Sequence, residues 1–445
     1  MRTRVAVLLV LASLGRSDEA LSQHWIFDAR EIALGAVGRE GIVSANMIEP
    51  ERHDTSVVLP FGFLQIFREP AIYDPDSRDF DPVRAVEYAS TPFHYIVGRT
   101  TSDSAGAVFV SDIRNAILNR DLSKYQGFAP VSGRLAETVR SSIGYLFQGP
   151  KAEHRPSHGV YIGAGPYLSV ETSGALDPRL SSVINGGADV RNTEFAITDS
   201  DEAQVALALT AGYRARIPWP AGVATGSTRD GLYVGANYNY IRGLLYENDG
   251  MNIRLTTDSA GLLVDSSNIL VQHGHASDGT GFALDLGLTA VLDRWELGVG
   301  ANGVLNRIDW RGLDVTTYSL ASLTSGNTDF IQTTTMVDVD RRVVLPVEYQ
   351  GIIRYDANVW SATIGVGHGF SGVGFHAGFE RRLERLALRG GGHYRLSAWN
   401  PSGGVGFAFS PRLSLDVAVF GTNANVERKR QMGIAASVRV KSSHR

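Results

Sequence analysis

The chain has no cysteine among its 445 residues. That excludes disulfides, thiolate metal sites, a cysteine nucleophile and a lipid-modified N-terminal cysteine, and it is compatible with an oxidising compartment. A strong charge of either sign is also lacking. A net charge of −4 gives no electrostatic reason to expect nucleic acid as a partner. Long hydrophobic runs are missing as well: beyond Val5–Leu14 nothing approaches the roughly 18 apolar residues of a transmembrane helix. A membrane-spanning form must therefore be a barrel. The run Val5–Leu14 is too short to span a bilayer and follows Arg2 and Arg4, the layout of a signal peptide. Ala20 and Ser22 supply the small residues for cleavage before Gln23. The expectation is a signal peptide over 1–22, export, and a mature chain over 23–445; a buried N-terminal strand is the alternative.

What the sequence does have is alternation, on a chain with 49 glycines. In "RLALRGGGHYRLSA", Leu386, Leu388, Gly390, Gly392, Tyr394 and Leu396 interleave with Arg385, Ala387, Arg389, Gly391, His393 and Arg395. Period two means a strand, whose successive side chains point to opposite faces. The leucines face either a protein core, with water on the arginines, or lipid, with a wet lumen on the arginines. The same two lists recur in "HGVYIGAGPYLSVE", "QVALALTAGYRAR", "GLYVGANYNY", "GFALDLGLTAVL" and "WELGVGAN", and almost without interruption from Trp360 onward. Short turn-like pieces such as "GFSG", "RLER", "NPSG" and "SPR" join the later strands into a meander of hairpins.

A soluble sandwich or propeller would carry long polar side chains on its water face. Here the second list is crowded with Gly, Ala, Ser and isolated charges, which suit the concave inside of a curved sheet. Aromatics such as Tyr238, Tyr240, Trp295, Trp310, Trp360 and Phe420 sit near strand ends, as in the interfacial girdles of membrane barrels. The reading is an all-β, antiparallel transmembrane barrel in a bacterial outer membrane, with outer-membrane lipid and the barrel-assembly machinery as partners. On it, Leu388→Arg costs more than Arg389→Leu. Two regions break the meander: Ser111 caps a short amphipathic helix over about 111–122, and residues 23–100 mix apolar and Pro-bearing polar pieces.

The inward list assembles charge. Arg214, Arg216, Arg389, Arg395, Arg439 and His393 share a lumen with Asp285, Glu296, Glu380 and Asp416. Such groups either bind a carboxylate headgroup and set ion preference, or pair with one another as buried charges must; pairing is the favoured reading. Asp74, Asp76, Asp79 and Asp81 are weak calcium candidates that lack the glycine and terminal glutamate of an EF-hand. His273 and His275 share a strand face with no evident third ligand. No G-x-S-x-G elbow occurs, the glycines at 390–392 lack the context of a phosphate cradle, and no cofactor or enzymatic role is read.

Three stretches resemble the FadL-type superfamily of outer-membrane barrels, which includes TraF-like proteins: "AREIALGAVG" (29–38), "GTGFALDLGLTAVLDRWELGVGANGVLNRIDWRG" (279–312) and "SPRLSLDVAVFG" (410–421). The resemblance implies about 14 strands, an N-terminal segment over about 23–50 inside the lumen, and hydrophobic or amphipathic small molecules as cargo. A structural or secretion- and conjugation-associated barrel with a blocked lumen is the alternative it offers. Two departures are Gly35-Ala36 where the family has Gly-Gly, and a final "KSSHR" where it ends in an aromatic.

Overall fold

The computed structural model describes residues 21–24, 29–35, 54–59 and, with short breaks, 132–441. The loop with Asp74, Asp76, Asp79 and Asp81 and the helix expected over 111–122 lie outside the described residues. In chain order the strands are β1 (Leu21–His24), β2 (Asp54–Leu59), β3 (Ser132–Arg140), β4 (Ser142–Gln148), β5 (Lys151–Ala152), β6 (Arg155–Pro156), β7 (His158–Leu176), β8 (Glu194–Ile217), β9 (Gly231–Thr256) and β10 (Asn268–Ala276). They continue as β11 (Asp278–Leu292), β12 (Trp295–Leu320), β13 (Phe330–Val343), β14 (Glu348–Asp356), β15 (Trp360–Gly369), β16 (Gly372–Leu383), β17 (Leu386–Arg395), β18 (Ala398–Ser410), β19 (Leu413–Thr422) and β20 (Gln431–Lys441). One helix, α1, spans Ala29–Ala33.

Apart from the β5–β6 hairpin, every strand belongs to one 18-stranded sheet. Its wall is an antiparallel meander through β7, β8, β9, β11, β12 and β14 to β20. The excess over 14 has local causes. β3 and β4 pair with the two ends of β7 as consecutive halves of one strand, and β10 and β13 extend the wall by pairing with the far halves of β9 and β12. From β4 to β20 the wall makes an even number of antiparallel steps, so its two edge strands run the same way. β1 pairs antiparallel with β4 and β2 antiparallel with β20, and β1 and β2 lie beside each other. The N-terminal residues thus cover one edge each and approach one another, with no ladder between β1 and β2 among the described residues; β1 begins at Leu21, so cleavage before Gln23 would leave only Gln23 and His24 of it.

The two ends of the ring differ. Two-residue turns occur at both, Leu292 to Trp295 and Leu383 to Leu386 at the one we term the turn end, and Gly369 to Gly372 and Arg395 to Ala398 at the other. At the turn end Asp293 and Glu384 take φ of 52° and 39°, the left-handed region that tight hairpins require. At the other, the distal end, the far halves of β8, β9 and β12 run on past a bulge between Val205 and Ala206.

Burial decides the face question. Leucine and isoleucine side chains of one list are open, Ile364 at 63%, Leu305 at 61% and Leu209 at 60%, whereas charged side chains of the other list are closed off, Arg214 at 1%, Glu380 at 1% and Asp416 at 2%. Register makes the open face continuous: Leu297 lies opposite Ile353, which lies opposite Ile364, while Leu386 and Leu388 lie opposite Phe407 and Val405. No sheet among the described residues covers it, since the β5–β6 hairpin has two residues per strand. Soluble monomers do not expose apolar patches of this extent. The leucines of β17 face outward and Arg389 faces the lumen.

Aromatics mark both borders of this face. Trp295, Tyr355, Trp360 and Phe379 form a row toward the turn end, with ring centroids 4.8, 5.0 and 5.9 Å apart in sequence. Phe375, Tyr394 and Trp399 form another toward the distal end, at 6.4 and 5.7 Å. Two of the aromatics expected in the girdles are not there. Trp310 occupies the β12 list that holds Glu296 and turns fully inward, where Gly243 and Gly279 leave room for its indole. Phe420 shares the β19 list with Asp416 and packs beside Ile32 and Ala33.

Candidate functional site

The described site is the inner wall and the helix docked on it. α1 has five residues, of which Ala29, Ile32 and Ala33 are buried against Ala418, Ala435 and Phe420. Small residues on both sides allow the backbones to approach. Leu34 lies over Gly378 and Gly391, where a Cβ would strike it, and Gly35, at φ +82°, lies over the Gly392 backbone, which its own Cβ would strike. Polar contacts fix the register: the Ala29 amide donates to Ser437 Oγ at 3.3 Å, and Ser402 Oγ donates to the Ala33 carbonyl at 3.2 Å.

Beside this contact Glu380 collects three arginines. Arg30 of α1 donates through Nε at 3.1 Å and Nη2 at 3.0 Å, Arg382 through Nε at 2.8 Å, and Arg389 through Nε at 2.6 Å. Arg389 also reaches Asp416 at 2.6 Å, and Arg382 reaches Asp356 at 2.7 Å. A carboxylate buried this deeply requires such partners, because removing them leaves an uncompensated charge. The network ties a segment that belongs to no wall strand to four wall strands, β14, β16, β17 and β19.

The wall formed by β7 to β12 carries a second polar group. Asn239 accepts from Thr210 at 2.7 Å and donates to Asp285 at 2.6 Å, while Asp285 also accepts from the Gly303 amide at 2.8 Å. Arg214 donates to the Tyr213 and Ala236 carbonyls at 3.0 and 3.1 Å and lies over the Tyr161 ring at 5.8 Å. Glu296 faces Arg229 at 3.8 Å. Toward the distal end the lining turns apolar: Tyr167, Ile241, Tyr246, Ile308 and Trp310 form one buried cluster with Leu345 and Phe370. Tyr246 and Trp310 rings are 5.4 Å apart, and the indole N–H donates to Gln204 at 3.0 Å.

Of the ten lumen-facing candidates, Arg214, Asp285, Glu296, Glu380, Arg389 and Asp416 are buried on the inner side. Arg216 donates to the Asp230 carbonyl at 2.7 Å, and His393 sits directly opposite His376. Arg395 and Arg439 lie in β17 and β20, with side chains outside the described residues. The charges do pair, but in two separate groups. His273 is 2.6 Å from Asp249 and His275 is 4.0 Å from Glu247, so these histidines face carboxylates on β9. Arg30 was missed because a single cation in a small-residue stretch carries no period. Trp310 was legible, two positions beyond Ile308 on the list that begins with Glu296.

No family model and no curated relative matches the chain. Solved structures do. The Ralstonia pickettii toluene transporter TbuX is similar at 11% identity over 70% of this chain and 87% of that one, with a TM-score of 0.35. The Pseudomonas putida toluene transporter TodX is similar at 13% identity over 74% and 93%, with 0.32, and a Pseudomonas aeruginosa FadL homologue at 10% over 70% and 89%, also with 0.32.

Proposed function

We propose that the protein spans a bacterial outer membrane as a barrel and serves as a conduit for hydrophobic or amphipathic small molecules. The uninterrupted outward apolar face bordered by two aromatic rows supports the membrane placement. The extension of β8, β9 and β12 with β10 and β13 beyond one end supports an orientation with that distal end outside the cell. The observation that carries the cargo class is the inner cluster of Tyr167, Ile241, Tyr246, Ile308 and Trp310. A water-filled channel lines its interior with polar groups, whereas here the distal interior is closed by a packed apolar cluster that a cargo would have to part.

The test is uptake. Cells carrying or lacking the chain are given labelled fatty acid, alkane, monoaromatic hydrocarbon and a sugar of similar size. Faster entry of an apolar compound and unchanged entry of the sugar are expected; preferential sugar entry would overturn the reading. The docking of α1 through Arg30 and Glu380 favours a second reading, a scaffold with a blocked lumen. Unchanged entry of all four compounds, with the barrel inserted, would support that one.

A further inference from the structure

Asn302 of β12 is buried on the inner wall, 1% exposed, and neither its Nδ2 nor its Oδ1 has a partner among the described residues. Buried amides are paired in nearly every protein, because an unmade hydrogen bond in the interior costs the whole desolvation of the group. Local geometry aims this one. β11 and β12 shift register between Leu284 and Leu286, so that Asp285 alone faces Asn302, Gly303 and Val304. Gly303 takes φ +67°, and its amide donates to Asp285 Oδ1 at 2.8 Å. A bulge of this kind re-aims the side chain beside it.

The same arc of wall holds a second open acceptor. Asn237 of β9 lies opposite Asp285, and its buried Oδ1 likewise has no partner among the described residues. Gly212 of β8, opposite Asn237, leaves the space that the Asn237 and Arg214 side chains occupy. Both oxygens of Asp285 are engaged, Oδ2 by Asn239 at 2.6 Å and Oδ1 by Gly303. One row nearer the turn end, Gly235 lies opposite Gly287 and Gly287 opposite Gly300. No wall side chain of these three strands enters the lumen from that row.

The open atoms define the group they can bind. Asn302 presents a donor and an acceptor whichever way its amide is turned, and Asn237 Oδ1 adds an acceptor. An ammonium group has no lone pair for the Asn302 N–H. A carboxylate has no proton for the amide oxygens and would stand beside Asp285, with Glu348 opposite Asn302; the nearby Arg214 gives its Nη1 to the Tyr213 and Ala236 carbonyls. A hydroxyl group both donates and accepts.

We propose that Asn302 and Asn237 form a subsite that hydrogen-bonds the hydroxyl group of an amphipathic small molecule, whose apolar body lies along the strip of Gly235, Gly287 and Gly300. The proposal deepens the conduit reading and rests on it. The subsite lies between the Trp310 cluster and the turn end, where a compound that has parted the cluster meets the wall next.

The experiment is calorimetric titration of the full chain in detergent with 1-octanol, its methyl ether, octanoate and octylamine at neutral pH. The parent and Asn302→Leu are compared, so that partition into micelles is common to both. Octanol should bind the parent about fivefold more tightly than the ether, which lacks the donor, and the two charged compounds should bind no better than the ether. Asn302→Leu, of similar size, should erase that preference while the temperature of heat-modifiable conversion stays level or rises, because no hydrogen bond is lost. A lowered temperature would make the amide a structural group and overturn the proposal. Should Asn302→Leu fail to fold, Asn302→Ala should show the same loss of preference. Equal affinity for octanol and the ether in the parent would leave the amides to water alone and overturn the proposal, as would tighter binding of octanoate or octylamine, or an undiminished preference in a folded variant. Uptake of apolar compounds without an octanol preference takes down this inference alone; an octanol preference without uptake takes down the conduit reading and leaves the subsite.

Discussion

Leu388 and Arg389 are adjacent residues in opposite environments, and their substitutions measure opposite physics. Leu388 is open on the outward face of β17. It lies opposite Arg381, which lies opposite Trp360 in the turn-end aromatic row, so Leu388→Arg should cost only about 0–1 kcal/mol at this border. The sequence ranks Arg389→Leu as milder, because a lumen side chain escapes that penalty. The structure reverses this ranking: Arg389 is buried and joins Glu380 to Asp416 at 2.6 Å each. Glu380 would keep Arg30 and Arg382, but Asp416 would lose its arginine, and breaking such a pair from one side costs about 3–5 kcal/mol. The double variant Arg389→Leu/Asp416→Leu should recover part of the loss, since two apolar groups leave no orphaned charge. Urea unfolding in vesicles, followed by tryptophan fluorescence, reads all three. An Arg389→Leu protein as stable as the parent would mean that the Arg389–Asp416 pair does not hold β17 to β19.

Helix α1 and the loop before β9 are held by different means and should fail under different conditions. α1 docks by close approach over glycines, so Gly391→Ala would place a methyl against Leu34 and the Ala377 carbonyl. The tightest contact is with the helix end, and the β16 backbone at Ala377 must also give. Raised ion conductance in planar bilayers, with heat-modifiable migration retained, is expected; unchanged conductance would mean that α1 does not obstruct the lumen. The loop over 218–230 depends instead on Asp230, which accepts from the Thr225 amide and hydroxyl at 2.6 and 2.7 Å and from the Asp293 amide at 2.7 Å. Burial acts to raise its pKa, but the Thr225 and Asp293 bonds and the nearby Arg216 outweigh it and hold the carboxyl below its ordinary value. A group depressed in the folded state stabilises fully above its unfolded pKa, about 4, and the contribution fades as pH falls through the folded value. Exchange of the Thr225 and Asp293 amides should therefore accelerate only in acid, whereas Asp230→Asn should accelerate it at neutral pH. Of these features, the loop's position was visible in Pro218, Pro220 and the glycines around it. The anchoring of Asp230 to a turn 63 residues away was not, because a side-chain-to-backbone bond between two turns leaves no period.

At the scale of the whole molecule, the barrel was legible because every wall strand repeats one local rule, and the closing of the ring was not because it rests on distant pairing. Alternation in β7, β8, β9, β11 and β15 to β19 needs only neighbouring residues to be seen. β2 offers six residues without a clear alternation, and its partner is β20, so that Asp54 lies opposite Lys441. The need for it follows from parity. With β4 and β20 running the same way, direct closure would be parallel; β1 and β2 run opposite to them and cover the β4 and β20 edges respectively. This separates two roles within the N-terminal residues, one that fills the lumen and one that completes the wall. Replacing residues 29–35 with a glycine-serine linker of equal length should leave heat-modifiable migration intact and raise conductance, because α1 is lost while β2 still reaches β20. Removing residues 23–60 should abolish heat-modifiable migration and yield aggregate, because the backbone groups of β4 and β20 are left open within the bilayer, where each open group costs several kcal/mol. A barrel lacking residues 23–60 that still migrates as a folded species would show that β4 and β20 can close the ring directly, and that the strand segments before residue 60 are dispensable to the wall.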